Sequence, residues 1–281
     1  MNLHLGVYPQ KDERGYHRVD SVMIPLDLAN TIAIEDADSL VVAFHPAIDN
    51  MTHSAAVRAA TFLANELGIR PDVRIDIQRR IPEMGGLGSS SADAGCILRA
   101  LAERWGIDPL DQCVVAIAKR IGADVPFCLN PAPALYTGAG DTFAERFPDL
   151  VGVPIALVMP AGSGSSTREV YGEFDRTAHV PESPERMCAA LRAGDIAGVA
   201  ASLYNNLAPA AKLLQPSIAM GEKWLLSQPG VVAGQVTGSG SCSFAICESA
   251  EAAEKIEDSA KNEQGWWAKA VLTVGLDARF C

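Results

Sequence analysis

The chain has 281 residues, 48% hydrophobic and 20% charged, with a formal net charge of −11. This composition suits one large or two ordinary globular domains and argues against nucleic acid, whose phosphates require a basic face. No apolar run of about 18 residues appears, and Met1-Asn2-Leu3-His4-Leu5 has no basic segment ahead of an apolar one, so no membrane partner and no secretory leader is expected and the location reads as cytoplasmic.

Residues 2–8 and 19–27 alternate as strands around a polar turn, Pro9-Gln10-Lys11-Asp12-Glu13-Arg14-Gly15. Strands are predicted at 31–34 and 40–44, then a helix over 53–67 from the spacing of Ala56, Ala60, Leu63 and Leu67. Val73-Arg74-Ile75-Asp76-Ile77-Gln78 alternates as a half-exposed strand. A Gly/Ser loop leads into a helix with Ile97, Leu98, Leu101 and Trp105 on one face, and another helix follows near 110–121. Strands followed by helices make an α+β order, without regular βαβ alternation.

Pro148 to Pro154 reads as the crossover into a second half. A strand at 155–159, a Gly/Ser loop at 162–166 and a helix at 167–174 follow. Helical patterns recur near 184–194, 196–203, 216–227 and 249–260, with strands at 231–236, 243–247 and 268–274. Seven cysteines, an odd number with no C-x-x-C, sit mostly in apolar surroundings and read as buried free thiols. The five histidines lack metal-ligand spacing, so no protein metal site is expected.

Residues 81–95, Ile-Pro-Glu-Met-Gly-Gly-Leu-Gly-Ser-Ser-Ser-Ala-Asp-Ala-Gly, carry most of the functional information. Gly85, Gly86 and Gly88 allow close backbone approach, and the helix that starts after them offers unpaired N–H groups and the positive end of its dipole. The combination is an anion site, most often for phosphate. No lysine follows the glycines as in a P-loop, and the third glycine of G-x-G-x-x-G is missing.

Three further places have two readings each. Asp124, in Gly122-Ala123-Asp124-Val125-Pro126-Phe127, is a turn or cap residue, or a general base taking a proton from a hydroxyl nucleophile. Tyr16 and His17 are surface residues after a turn glycine, or a ring and a hydrogen-bonding edge for a planar base. Thr237-Gly238-Ser239-Gly240-Ser241 is a tight hairpin link, or backbone N–H groups brought to a second phosphate.

Together these segments resemble the GHMP kinase superfamily. Pro82 to Ala94 is similar to its P-x-G-x-G-L-G-G-G-S-S-D-A loop, and Asn206-Leu207 and Thr237-Gly238-Ser239-Gly240 to its N-x-L and S-G-S-G segments. Asn2-Leu3-His4-Leu5, Gly15-Tyr16-His17 with Val22 and Leu26-Asp27-Leu28, and Gly122 to Phe127 resemble more narrowly the branch acting on a cytidine-linked methylerythritol in non-mevalonate isoprenoid biosynthesis. The resemblance implies the GHMP kinase fold, two α/β domains with the active site in the cleft between them, here residues 1–150 (ATP-binding) and 151–281 (ferredoxin-like).

It also implies an ATP-dependent kinase that phosphorylates the 2-hydroxyl of a small molecule carrying a cytidine diphosphate group, with Mg2+ held mainly through the phosphates, in a monomer or homodimer. By position, Asp124 is the base. Pro82, Met84, Gly85, Gly86, Leu87, Gly88, Ser89, Ser90 and Ser91 hold ATP, while Asn2, Tyr16, His17, Tyr171, Gly238, Ser239 and Gly240 meet the substrate. Three departures stand out. The family's lysine, two residues ahead of the position of Asn2, would fall before Met1, which implies either a start assigned too late or a catalytically impaired homologue. Ser89 and Ser90 replace glycines, and Met84 replaces a small residue, so serine φ angles must stay negative and Met84 must point away from phosphate. Another GHMP kinase, for mevalonate, homoserine or a sugar, and a non-catalytic binding protein remain as other readings.

Overall fold

The structure is a computed structural model that describes residues 1–47, 54–162, 164 and 166–275. The elements begin with β1 (Asn2–Lys11), β2 (His17–Met23), β3 (Thr31–Asp36), β4 (Val41–His45), α1 (Ala55–Leu67) and β5 (Val73–Gln78). Next come α2 (Ser89–Arg104), α3 (Gln112–Ile121), α4 (Val125–Leu129), β6 (Ala134–Thr137), β7 (Thr142–Arg146) and β8 (Pro154–Met159). The chain continues through α5 (Thr167–Phe174), α6 (Glu185–Ala193), α7 (Ile196–Ala201), β9 (Tyr204–Asn205), α8 (Ala208–Leu214) and α9 (Pro216–Leu226). It ends with β10 (Val231–Val236), β11 (Ser243–Cys247), α10 (Ala250–Asn262) and β12 (Trp267–Leu272). The expected start of α1 at residue 53, and residues 163 and 165 of the expected Gly/Ser loop, lie outside the described residues.

The chain forms two compact units, each drawn from separate stretches of sequence. One gathers Met1–Asp27, Glu83–Leu87 and the described residues from Ala132 on; the other gathers Leu28–Pro82 and Gly88–Pro131. The reason is strand pairing. β2 pairs with β6 and β1 with β9, so the first two strands share one sheet with three later strands.

In the unit made of Leu28–Pro82 and Gly88–Pro131, three strands run in the order β3-β5-β4. β5 buries Val73, Ile75 and Ile77 and turns Arg74 and Gln78 outward, the alternation its sequence predicts. Its core continues through Ala56, Ala60 and Leu63 of α1, Ile97, Leu98 and Leu101 of α2, and Val114 and Ile117 of α3. Each buried Leu or Ile contributes about 1.5–3 kcal/mol relative to exposure. α1 is capped by the Ser54 hydroxyl, which accepts from Val57 N–H, and stops at Gly68 with φ 65°.

The larger unit holds a five-stranded sheet, β7-β6-β2-β1-β9, and a four-stranded one, β10-β11-β8-β12. Pro9 falls inside β1 and not in the turn, where the ladder with β2 shifts register between Val7 and Lys11, a place that tolerates a missing N–H. The turn itself is 12–16: Asp12 N–H donates to Tyr16 O at 2.7 Å, and the Asp12 carboxylate accepts from the N–H groups of Arg14 and Tyr16. At the other border, β9 pairs with β1 for only two residues. Just beyond, the Asn206 amide accepts from Val7 N–H at 2.8 Å and donates to Val7 O at 2.9 Å.

Five cysteines, 113, 128, 188, 242 and 247, are free. Cys96, on the buried side of α2, is disulfide-bonded, which corrects the expectation of free thiols throughout.

Candidate functional site

The start of α2 has the features of an anion site. Gly88 stands at its N-cap with φ 68° and makes no side-chain cap. The first bond closing the helix is Ala92 N–H to Gly88 O, 2.8 Å. The N–H groups of Ser89, Ser90 and Ser91 therefore precede any helical acceptor, at the positive end of the dipole. Ser89 and Ser90 open the helix, and Met84 is the one non-glycine residue at positive φ among those described, so both serines keep negative φ. The Ser89 hydroxyl is turned inward: it donates to Ile81 O at 3.4 Å and accepts from Asn30 Nδ2 at 3.3 Å. Ser90 is exposed; Ser91 and Pro82 are half-buried.

Asp124 sits in the same unit, at the N-cap of α4, and its carboxylate makes no cap hydrogen bond. α2 reaches α4 because residue 95 is glycine: a Cβ there would stand 2.6 Å from the Cys128 backbone carbon. A Cβ on Gly122 would lie 3.9 Å from Ser91 Oγ, so the turn carrying Asp124 adjoins the first turn of α2. Asp124 is open to solvent, yet the protein around it displaces enough water to raise its pKa above the ordinary carboxylate value. The Cys128 thiol is pushed up to about 12, by burial and then by the Asp124 and Asp93 charges, so it stays protonated.

In the other unit, Met84, Gly85 and Gly86 dock on the loop between β10 and β11. Ser241 N–H and its hydroxyl donate to Met84 O at 3.2 and 3.1 Å, and Cys242 N–H donates to Gly85 O at 3.0 Å. Gly86 has φ 69°, and a Cβ on it would be 2.4 Å from Thr237 O. Gly238 has φ 56°, and its Cβ would be 2.9 Å from Gly86 O. The 237–242 segment is a hairpin link, as one reading had it, whose Ser241 and Cys242 N–H groups are spent on the carbonyls of Met84 and Gly85. Leu87 is half-buried, and the Met84 side chain is exposed and faces Gly164.

Asn2 adjoins this link: its N–H donates to Thr237 Oγ1 at 3.2 Å, and its amide donates to Ser21 Oγ at 2.9 Å. Gly238 O accepts from Asn205 Nδ2 at 2.9 Å, Gly240 N–H donates to Thr237 O, and Ser239 Oγ lies 2.9 Å from Thr167 Oγ1.

His17 and Tyr171 come together, ring centroids 5.4 Å apart. His17 is buried, with Phe174 edge-on at 5.7 Å. Its Nδ1 is 2.7 Å from Tyr8 O, and a carbonyl only accepts, so Nδ1 carries the proton. Nε2 lies 3.0 Å from an Asp175 carboxylate oxygen without a hydrogen bond to it. Tyr16 is not part of that cluster; its ring is exposed, with the Arg14 guanidinium 5.3 Å above it.

Sequence reasoning missed Asn30, Asp93 and Asn205. Asn30 carries no motif, whereas Asn205 heads the N-x-L segment Asn205-Asn206-Leu207. Asp93 left one usable signal: a carboxylate among the buried small residues Ala94, Gly95 and Cys96 requires a partner.

The family models "GHMP kinases N terminal domain" and "GHMP kinases C terminal" match residues 54–131 and 187–265. A 4-diphosphocytidyl-2-C-methyl-D-erythritol kinase of Mycolicibacterium smegmatis is 35% identical, over 90% of this chain and 81% of that protein. The same enzyme of Mycolicibacterium gilvum is 34% identical, over 91% and 82%. A crystal structure of 4-(cytidine 5'-diphospho)-2C-methyl-D-erythritol kinase superposes with a TM-score of 0.78 at 28% identity, covering 98% of this chain and 97% of that one. No helix among the described residues is long and apolar enough to cross a membrane. With relatives this similar along nearly its whole length, the chain belongs to the GHMP kinase family, small-molecule kinases that use ATP as phosphate donor.

Proposed function

We propose that the chain phosphorylates 4-diphosphocytidyl-2-C-methyl-D-erythritol, the compound in its relatives' kinase names, and that the acceptor is its 2-hydroxyl. The observation that carries the reading is the adjacency, within one unit, of a solvent-accessible carboxylate of raised pKa and a helix start with unpaired N–H groups. Asp124 takes the proton of the 2-hydroxyl as its oxygen bonds the γ-phosphorus of ATP, and the bond from that phosphorus to the bridging oxygen breaks, releasing ADP. Residues 85–91 hold the phosphates through backbone N–H groups, which stabilise the transferring charge. His17 and Tyr171 hold the cytosine, with Tyr16 at the rim and Asn2 near the substrate hydroxyls.

Among the described residues, no three His, Cys, Asp or Glu side chains are grouped to hold a metal. Mg2+ accepts such a setting, since it binds phosphate oxygens and water with few protein ligands. Bound through the phosphates, it would neutralise their charge. The reading is tested by supplying ATP with the cytidine substrate, mevalonate or homoserine in turn. ATP-dependent product from the cytidine substrate alone is expected; turnover of mevalonate or homoserine instead would assign another GHMP activity.

A further inference from the structure

Asn30, immediately before β3, is buried and uses every hydrogen-bonding position of its amide. Oδ1 accepts from Arg80 N–H at 2.7 Å and Ile81 N–H at 3.0 Å, in the stretch leaving β5. Nδ2 donates to Asp93 Oδ1 at 2.7 Å and to Ser89 Oγ at 3.3 Å. Asp93 is buried in the second turn of α2, and Ser89 is the first residue of that helix. One side chain thus ties the segment entering the Gly/Ser loop to the helix leaving it.

The orientation of the amide is dictated by its surroundings. Two backbone N–H donors face one end, so only the oxygen fits there, and the NH2 group must face the Asp93 carboxylate. A buried carboxylate without a donor is costly, and a charge-assisted hydrogen bond relieves that cost. The arrangement is reciprocal: it needs one amide and one carboxylate, while the end facing Arg80 and Ile81 needs only an acceptor. With Asp at 30 and Asn at 93, the carboxylate would accept the two backbone N–H groups and the amide of residue 93 would donate back across the same gap.

We infer that Asn30 and Asp93 are positioning residues for the donor phosphates, fixing the first turn of α2 by an amide–carboxylate pair that works in either order. The inference rests on the kinase reading above, because it assumes that ATP phosphates meet this turn.

The test is steady-state kinetics of the full chain with Asn30→Asp, Asp93→Asn and the double exchange, varying ATP and the cytidine substrate separately and recording thermal unfolding. Asn30→Asp sets two carboxylates against each other and is expected to raise the KM for ATP about tenfold or more, with the cytidine-substrate KM within about twofold of wild type. The double exchange is expected to recover most of the loss in ATP KM and unfolding temperature. An unchanged ATP KM in Asn30→Asp, or a double exchange no better than that single variant, overturns the pair. Should Asn30→Asp not fold, recovery of folding and ATP KM in the double exchange supports the pair, and its absence overturns it. If wild type neither binds ATP by calorimetry nor turns over, the kinase reading falls and takes the positioning role with it.

Discussion

Gly86 and Gly238 pack backbone against backbone: a Cβ on Gly86 would stand 2.4 Å from Thr237 O, and one on Gly238 would stand 2.9 Å from Gly86 O. Both also have positive φ. Gly86→Ala therefore adds a steric clash to left-handed strain, and it is expected to cost about 2–4 kcal/mol in denaturant unfolding and to weaken ATP binding. Gly88→Ala is the control. It shares the positive φ, at 68°, but nothing lies within 4 Å of its Cβ, so about 1–2 kcal/mol is expected. Equal losses for the two would refute the packing argument.

Asp124→Asn is expected to lower kcat by about a hundredfold or more if this carboxylate is the base. The same variant should be more stable near neutral pH. Because water displaced by the surrounding protein raises the folded-state pKa, the native form binds a proton more tightly than the unfolded chain between the two pKa values. Stability from this group is therefore lost as pH rises through that window, and the neutral amide escapes the penalty. Matched pH profiles should show wild-type kcat falling, as pH drops, at a pH above the usual carboxylate range. A variant with wild-type kcat would remove Asp124 from the chemistry.

On the proposed reading, His17 and Tyr171 bear on the cytidine end. Tyr171→Ala is expected to raise the KM for the cytidine substrate about tenfold while leaving that for ATP near wild type, and Tyr171→Phe should keep most of the affinity, since a ring contact contributes about 0.5–1.5 kcal/mol beyond area burial. Equal changes in both KM values would point to a general loss of structure.

The motifs made much of this legible. The start of α2, the GADVPF turn and the alternation of β5 all lie in local sequence, where periodicity and capping chemistry act. What stayed hidden depends on distant pairing. Nothing in residues 1–27 announces that β1 will pair with the two-residue β9, or β2 with β6. The short α4, β6 and α8 have too few residues for a clear period. Gly86 stands out in sequence as a loop glycine, but its need to fit under Thr237 O appears only in three dimensions.

His4 makes the fold acid-sensitive. Buried on β1 and stacked on Tyr204 at 5.0 Å, it has its pKa lowered from 6.5 to about 4 by burial, against a smaller opposing pull from Asp20. The unfolded chain binds the proton first, so stability is full above pH 6.5 and falls toward pH 4, by roughly 3 kcal/mol from this residue. His4→Leu is expected to flatten that part of the pH–stability curve measured by chemical denaturation. An unchanged slope would mean that other groups set it.

The Asn206 side chain reads, to the backbone of β1, like one more residue of a neighbouring strand, because it meets both the N–H and the O of Val7. Strand borders with open donors and acceptors invite edge-to-edge pairing between molecules. Here β9 ends after two residues, and the amide beyond it occupies the rung that an intruding strand would use. A single asparagine thereby completes the border of β1, and without it the buried Val7 N–H and O would be left unpaired.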